Sequence, residues 1–137
     1  MTRLDTAHER LVRRTIQTPA ARKLDLSFLA IANDEVCIAL KFDGANCTEA
    51  SIVHGGVIAT LIDIAGVAVA IAGARTMPQS GGTSQLSVNY LAPAISCGLE
   101  ASAVLLRGGG RSNVARVSVT DAAGKLLAEG HVSVTLK

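Results

Sequence analysis

Aromatic side chains are almost missing from this 137-residue chain: it has no tryptophan, one tyrosine and two phenylalanines. Its core must therefore be filled by Ala, Val, Ile and Leu, and a hydrophobic content of 49% supplies enough of these to exclude disorder. Charge is also nearly balanced, with 13 basic against 11 acidic residues. No basic block exceeds Arg13-Arg14 or Arg22-Lys23, which argues against a nucleic-acid partner and leaves room for one small anionic ligand. The three cysteines, Cys37, Cys47 and Cys97, lack CxxC or Cys/His spacing. Neither a disulfide framework nor a zinc site is indicated, no metal is expected, and a reducing cytoplasm suits them. Residues 1–18 carry Arg3, Arg10, Arg13 and Arg14 without an unbroken apolar run, so they read as an amphipathic leading helix and not as a secretion signal.

One apolar run is long. Residues 55–74 read GGVIATLIDIAGVAVAIAGA, with Asp63 as the single charge. Length alone would allow a membrane span, but a carboxylate at its middle is costly in hydrocarbon, and strand-like segments flank it. The run is expected to be the buried central helix of one domain, with no membrane partner.

Around that helix the pattern is of strands. A helix is predicted over residues 6–17, closed by Thr18-Pro19. Residues 24–32 and 35–42 alternate apolar and other residues across the turn signal Asn33-Asp34, which makes a hairpin. A polar loop over 43–51 precedes the long helix. Strands are then predicted over 83–91, 99–107, 113–120 and 126–136, separated by Pro93, by Gly108-Gly109-Gly110 and by Asp121-Ala122-Ala123-Gly124. The fold class is α+β: a mainly antiparallel sheet packed on one helix, with residues 1–19 as a leading segment and 20–137 as a single domain.

At about 100° per residue, the bulky side chains of the long helix (Val57, Ile58, Leu61, Ile62, Ile64, Val67, Val69, Ile71) cover a broad arc. Ala59, Gly66, Ala70, Gly73 and Ala74 form a small-residue sector around Asp63. That sector is expected to be a contact surface for a ligand or a second backbone. His54-Gly55-Gly56 stands at the first turn, where unpaired backbone amides suit a polarised carbonyl. On residues alone, Gly55-Gly56 serves equally as a turn and His54 as a cap. His54 and Asp63 are nine residues apart, hence roughly 13–14 Å along the axis, so one helix cannot bring them together and a two-fold related partner would be needed.

HGGVIATLIDIAGVAVA, then TSQLSVNYLAPA, then LLRGGGRSNVARVSVTDAAGKLLAEGHVSVTLK resemble the hot-dog-fold thioesterases of the phenylacetate-degradation (PaaI-like) group, over roughly residues 20–137. The resemblance implies a long helix wrapped by an antiparallel sheet. It also implies dimers with a continuous sheet, usually paired into homotetramers, and hydrolysis of acyl-coenzyme A thioesters without metal or redox cofactor. Asp63 matches the catalytic carboxylate, as general base or as nucleophile. Gly55 matches the residue whose N–H polarises the thioester carbonyl, His54 the motif histidine beside the thioester, and Gly56 completes the motif. Thr83 aligns with a hydroxyl residue that orients the water in some members.

The chain departs from the pattern upstream. Family members often carry Asn six residues before this His and Gly three before it, where this chain has Thr48 and Ser51. Asn46 supplies the amide only if the loop is two residues longer; Thr48 would supply a hydroxyl instead. Arg107, Gly109, Gly110, Arg111 and Ser112 make a loop suited to the phosphates of coenzyme A, and equally to a flexible turn with solvated charges. The cysteines read as small hydrophobes. The activity expected is hydrolysis of an aryl or medium-chain acyl-CoA. The alternatives are a hot-dog dehydratase or hydratase, and a non-catalytic acyl-CoA-binding protein.

Overall fold

In strand β2 (Glu35–Leu40), Val36, Ile38 and Leu40 point inward and are almost wholly buried, while the residues between them are half-exposed. The same period-2 burial recurs in β4 (Leu99–Arg107), β5 (Ser112–Thr120) and β6 (Leu126–Leu136), and it defines one apolar face for the whole sheet. With β1 (Ser27–Ile31) and β3 (Gly81–Tyr90), the computed structural model has six strands in the order β1-β2-β4-β5-β6-β3. Every pairing is antiparallel. The structure describes residues 4–49 and 51–137, so Arg3 of the leading segment and Ala50 of the polar loop lie outside the described residues.

The apolar face wraps helix α3 (Gly55–Ala72), which packs across β2, β4, β5 and β6. This is the hot-dog arrangement. The helix is apolar enough to cross a membrane by length and composition, yet Leu61, Ile62, Ala65, Ala68 and Val69 are fully buried in the fold. Its hydropathy thus has a sufficient cause in the core.

Of the two uses expected for the small-residue sector, the structure shows close packing against the sheet. A Cβ at Gly66 would lie 2.5 Å from Val132 Cβ, and one at Gly73 would lie 2.2 Å from a Leu105 methyl. Ala70 is fully buried. These small residues let the helix sink onto the sheet; they do not line a ligand surface. Gly130 does the same from β6, since a Cβ there would meet Ile62 and the Ser87 carbonyl at 2.8 Å. The open side of α3 instead carries Gly56, Val57, Thr60, Asp63, Ile64 and Val67, none of them buried.

The leading helix α1 (Thr6–Arg14) is shorter than expected and belongs to the same core. Asp5 accepts from the His8 N–H at 2.9 Å as its cap, Val12 is fully buried, and His8 Nε2 bonds the Ile71 carbonyl near the end of α3. The sequence reading lacked α2 (Pro19–Arg22), one turn begun by Pro19, whose missing N–H is harmless there. It also began β1 three residues early: Asp25 takes φ +51, which ends any extended run before Ser27.

β3 closes one edge of the sheet. Of its ten residues only Val88 is even partly buried, and β6 is its single neighbour.

Candidate active site

His54 caps α3. Its Nδ1 accepts from the Gly56 N–H at 2.8 Å, so in the neutral ring the proton sits on Nε2, which is left free to donate. Its backbone N–H donates to the Asn46 carbonyl at 2.8 Å, and Val57 and Ile58 donate to its own carbonyl. The Gly55 N–H has no partner among the described residues. A donor left over at a helix start, on the positive end of the helix dipole, suits an oxygen acquiring negative charge.

Asp63 lies two turns further along. It is half-buried on the open side of α3, and the Thr83 hydroxyl of β3 donates to its Oδ1. Thr83 thereby occupies one carboxylate oxygen and leaves the other available. Gly55 and Asp63 remain ~12 Å apart along the axis, so one chain does not bring them together.

Cys47 and Val53 form an antiparallel bridge, which sets Asn46 opposite His54 and Thr48 opposite Ile52. The backbone bond from the His54 N–H to the Asn46 carbonyl sets the end of the 3-10 turn Gly44–Asn46 against the start of α3. Thr48 spends its hydroxyl on the Ile52 carbonyl at 3.2 Å. The chain turns between Thr48 and Ile52, where Ser51 adopts φ +62.

Two contributors were absent from the sequence reading. The Tyr90 hydroxyl donates to the Gly55 carbonyl at 2.6 Å, and its ring lies over that glycine. Beside them runs a groove of about 340 Å³ whose walls include Ile52, Ile58, Leu91 and Ala94. The second is Arg75, whose N–H donates to the Gly109 carbonyl at 3.2 Å and whose guanidinium covers that residue. Both come from segments distant in sequence from what they touch, and no local spacing signals them.

The loop holding Arg107, Gly109, Gly110, Arg111 and Ser112 packs at the other end of α3. Asn113, buried, shapes it by donating Nδ2 to the carbonyls of Gly110, Arg111 and Val134. Arg111, Gly110 and Lys137 border a groove of about 390 Å³ there. An 18-residue helix separates this loop from Gly55 by ~27 Å in one chain, and from Asp63 by about half that.

Among the described residues no three His, Cys, Asp or Glu side chains gather as a metal site. Burial raises the thiols of Cys37 and Cys97 above the ordinary range, which disfavours either as a nucleophile.

Similarity to known proteins now bears on this geometry. The X-ray structure of a thioesterase-superfamily protein from Bordetella bronchiseptica is 29% identical, with a TM-score of 0.81 over 97% of this chain and 99% of that one. A mutant of the phenylacetic acid degradation protein PaaI from Thermus thermophilus is 24% identical, with a TM-score of 0.75 over 85% and 97%. A hypothetical thioesterase with coenzyme A from Streptococcus pneumoniae is 20% identical, with a TM-score of 0.73 over 82% and 85%. The last two speak for the fold. No curated protein matches the chain. The family model described as thioesterase superfamily matches residues 50–128, from the capping turn of α3 into β6, and with the wrapped helix it makes this chain a hot-dog-fold member of the thioesterase superfamily.

Proposed function

We propose that the protein hydrolyses acyl-coenzyme A thioesters to free acid and coenzyme A, in homodimers whose two sites each combine Gly55 of one chain with Asp63 of the other. The observation that carries this reading is the pair of unspent groups on the open side of α3: the Gly55 N–H, and an Asp63 carboxylate steadied on one oxygen by Thr83.

The thioester carbonyl accepts from the Gly55 N–H, which strengthens its hold as charge builds on oxygen. His54 Nε2–H and the Asn46 amide flank the same place. The free oxygen of Asp63 takes a proton from water as the water oxygen bonds to the carbonyl carbon. Collapse of the tetrahedral adduct breaks the C–S bond, and the proton passes from Asp63 to the departing thiolate. Attack by Asp63 itself, through an anhydride, uses the same placement. The groove beside Tyr90 receives the acyl group, aryl or medium-chain. Arg107 and Arg111, with the amides of Gly109, Gly110 and Ser112 and with Arg75 added, receive the phosphates of coenzyme A. The reading needs no metal or further cofactor and no nucleic-acid or membrane partner. It places the enzyme in the cytoplasm, with the dimers pairing into homotetramers through another face.

Thiol release across phenylacetyl-, hydroxybenzoyl- and straight-chain acyl-CoAs tests the activity. Asp63→Asn keeps the shape and removes the base, so kcat should fall by ~10² or more while the melting temperature holds. A wild-type kcat in that variant would remove Asp63 from the mechanism. Loss of an enoyl absorbance without thiol release would point to a hydratase, and binding without turnover to a sensor.

A further inference from the structure

The peptide group joining Gly55 to Gly56 is gripped at both of its polar ends. Its carbonyl accepts from Tyr90 OH at 2.6 Å and its N–H donates to His54 Nδ1 at 2.8 Å. A peptide group is planar and rigid, so two bonds on opposite ends fix its orientation as well as its place. The Gly55 N–H belongs to the preceding peptide group, hinged to this one at the Gly55 Cα. Glycine is the residue with the widest freedom at such a hinge, and the first helical turn leaves its N–H groups without intrahelical partners. The plane that carries the unpartnered N–H is held at its other end, the His54 carbonyl, by the Val57 and Ile58 N–H groups at 2.9 and 3.2 Å, and holding the next plane fixes the hinge from its second side.

We propose that Tyr90 is a positioning residue for thioester hydrolysis: with His54 it clamps the Gly55–Gly56 peptide plane and so aims the Gly55 N–H at the substrate carbonyl. The role rests on the thioesterase reading above. The tyrosine is itself well anchored. Its backbone is in register with Ala128 at the end of the β3–β6 ladder, and the next N–H, of Leu91, donates to the Leu127 carbonyl at 2.8 Å. A Cβ on Gly55 would lie 3.3 Å from Tyr90 Cζ, so the ring packs closely on that glycine. One face of the same ring borders the 340 Å³ groove, which couples the clamp to occupancy by the acyl chain.

Tyr90→Phe keeps the ring and deletes the bond. In glycine-selective 15N spectra of the full protein, the Gly56 amide, conjugated with the released carbonyl, should shift while Gly124 and Gly130 stay in place. Steady-state kinetics should show kcat for acyl-CoA lower by about tenfold with KM nearly unchanged, as expected when a transition-state donor is misaimed and not removed. Tyr90→Ala should lose the same kcat and also raise KM, because the groove loses its wall. An unmoved Gly56 resonance, or full kcat in Tyr90→Phe beside an inactive Asp63→Asn, overturns the clamp alone. Wild-type protein that releases no thiol from any acyl-CoA overturns the thioesterase reading and this role with it.

Discussion

Ser51 holds the left-handed conformation at φ +62, three residues before His54. A side chain with a Cβ is strained there by ~1–2 kcal/mol, part of which glycine would return as greater freedom in the unfolded chain. Ser51→Gly should therefore stabilise the protein by about 0.5–1 kcal/mol, read as a higher urea midpoint at unchanged slope. A lower midpoint would show that the hydroxyl contributes more than the backbone strain costs. The same turn explains which single residues the sequence could reveal. The placement of His54, Gly55 and Asp63 was legible because they lie at the cap and along one contiguous helix with fixed geometry. The course of the loop that carries Asn46 and Thr48 was not, because it depends on the pairing of Cys47 with Val53 and on the Thr48 hydroxyl bonding the Ile52 carbonyl. Tyr90 stood in plain view within NYLAPA, yet a strand pattern says nothing about which distant carbonyl a hydroxyl meets.

Helix α3 shows the limit of periodicity at the scale of an element. The 100° projection grouped Asp63 with Gly66 and Ala70, whereas the structure buries those two and sets Asp63 on the open side with Val57, Ile64 and Val67. Small side chains serve equally for a ligand and for a sheet that approaches closely, and Val132 and Leu105 are the atoms that decide. Strands β4 and β6 were placed at their observed ends, because glycine and aspartate turns punctuate them. The glycine loop between β4 and β5 is held by the Asn113 amide and covered by Arg75, so it has a definite shape for its charges. Arg111→Ala should raise KM for acyl-CoA severalfold and leave kcat for a short pantetheine thioester, which has no nucleotide, unchanged. Equal losses on both substrates would assign the loop to the fold or the chemistry.

For the whole molecule, the decisive quantity is the ~12 Å between Gly55 and Asp63, against the 3–3.5 Å at which water and carbonyl must meet. Two antiparallel α3 helices about a two-fold axis remove that distance, and the exposed β3 edge is where a second chain can extend the sheet. Gly55→Pro deletes the donor N–H. It suits the first helical position, and His54, at ψ 134, already has the extended backbone that proline demands of its predecessor. Neither Gly55→Pro nor Asp63→Asn chains should be active alone. Subunit exchange between them should restore up to half of a wild-type dimer's sites, since each heterodimer holds one intact pair. Verified heterodimers of folded chains without recovered activity would place both groups of each site in a single chain.

The order of elements along the chain also has a cost during synthesis. The most apolar segment, Gly55–Ala72, is made before β4, β5 and β6, the strands that cover it, and the last of these ends at Leu136. At ribosomal speeds of about 5–20 residues per second, the 64 residues between Ala72 and Leu136 take roughly 3–13 s to add. At the start of that interval the nascent chain presents a helix of membrane-like hydropathy, with α1 and β2 as the packing partners already made. The carboxylate of Asp63, the one charged point on that helix, becomes the feature by which the half-made chain differs from a membrane anchor.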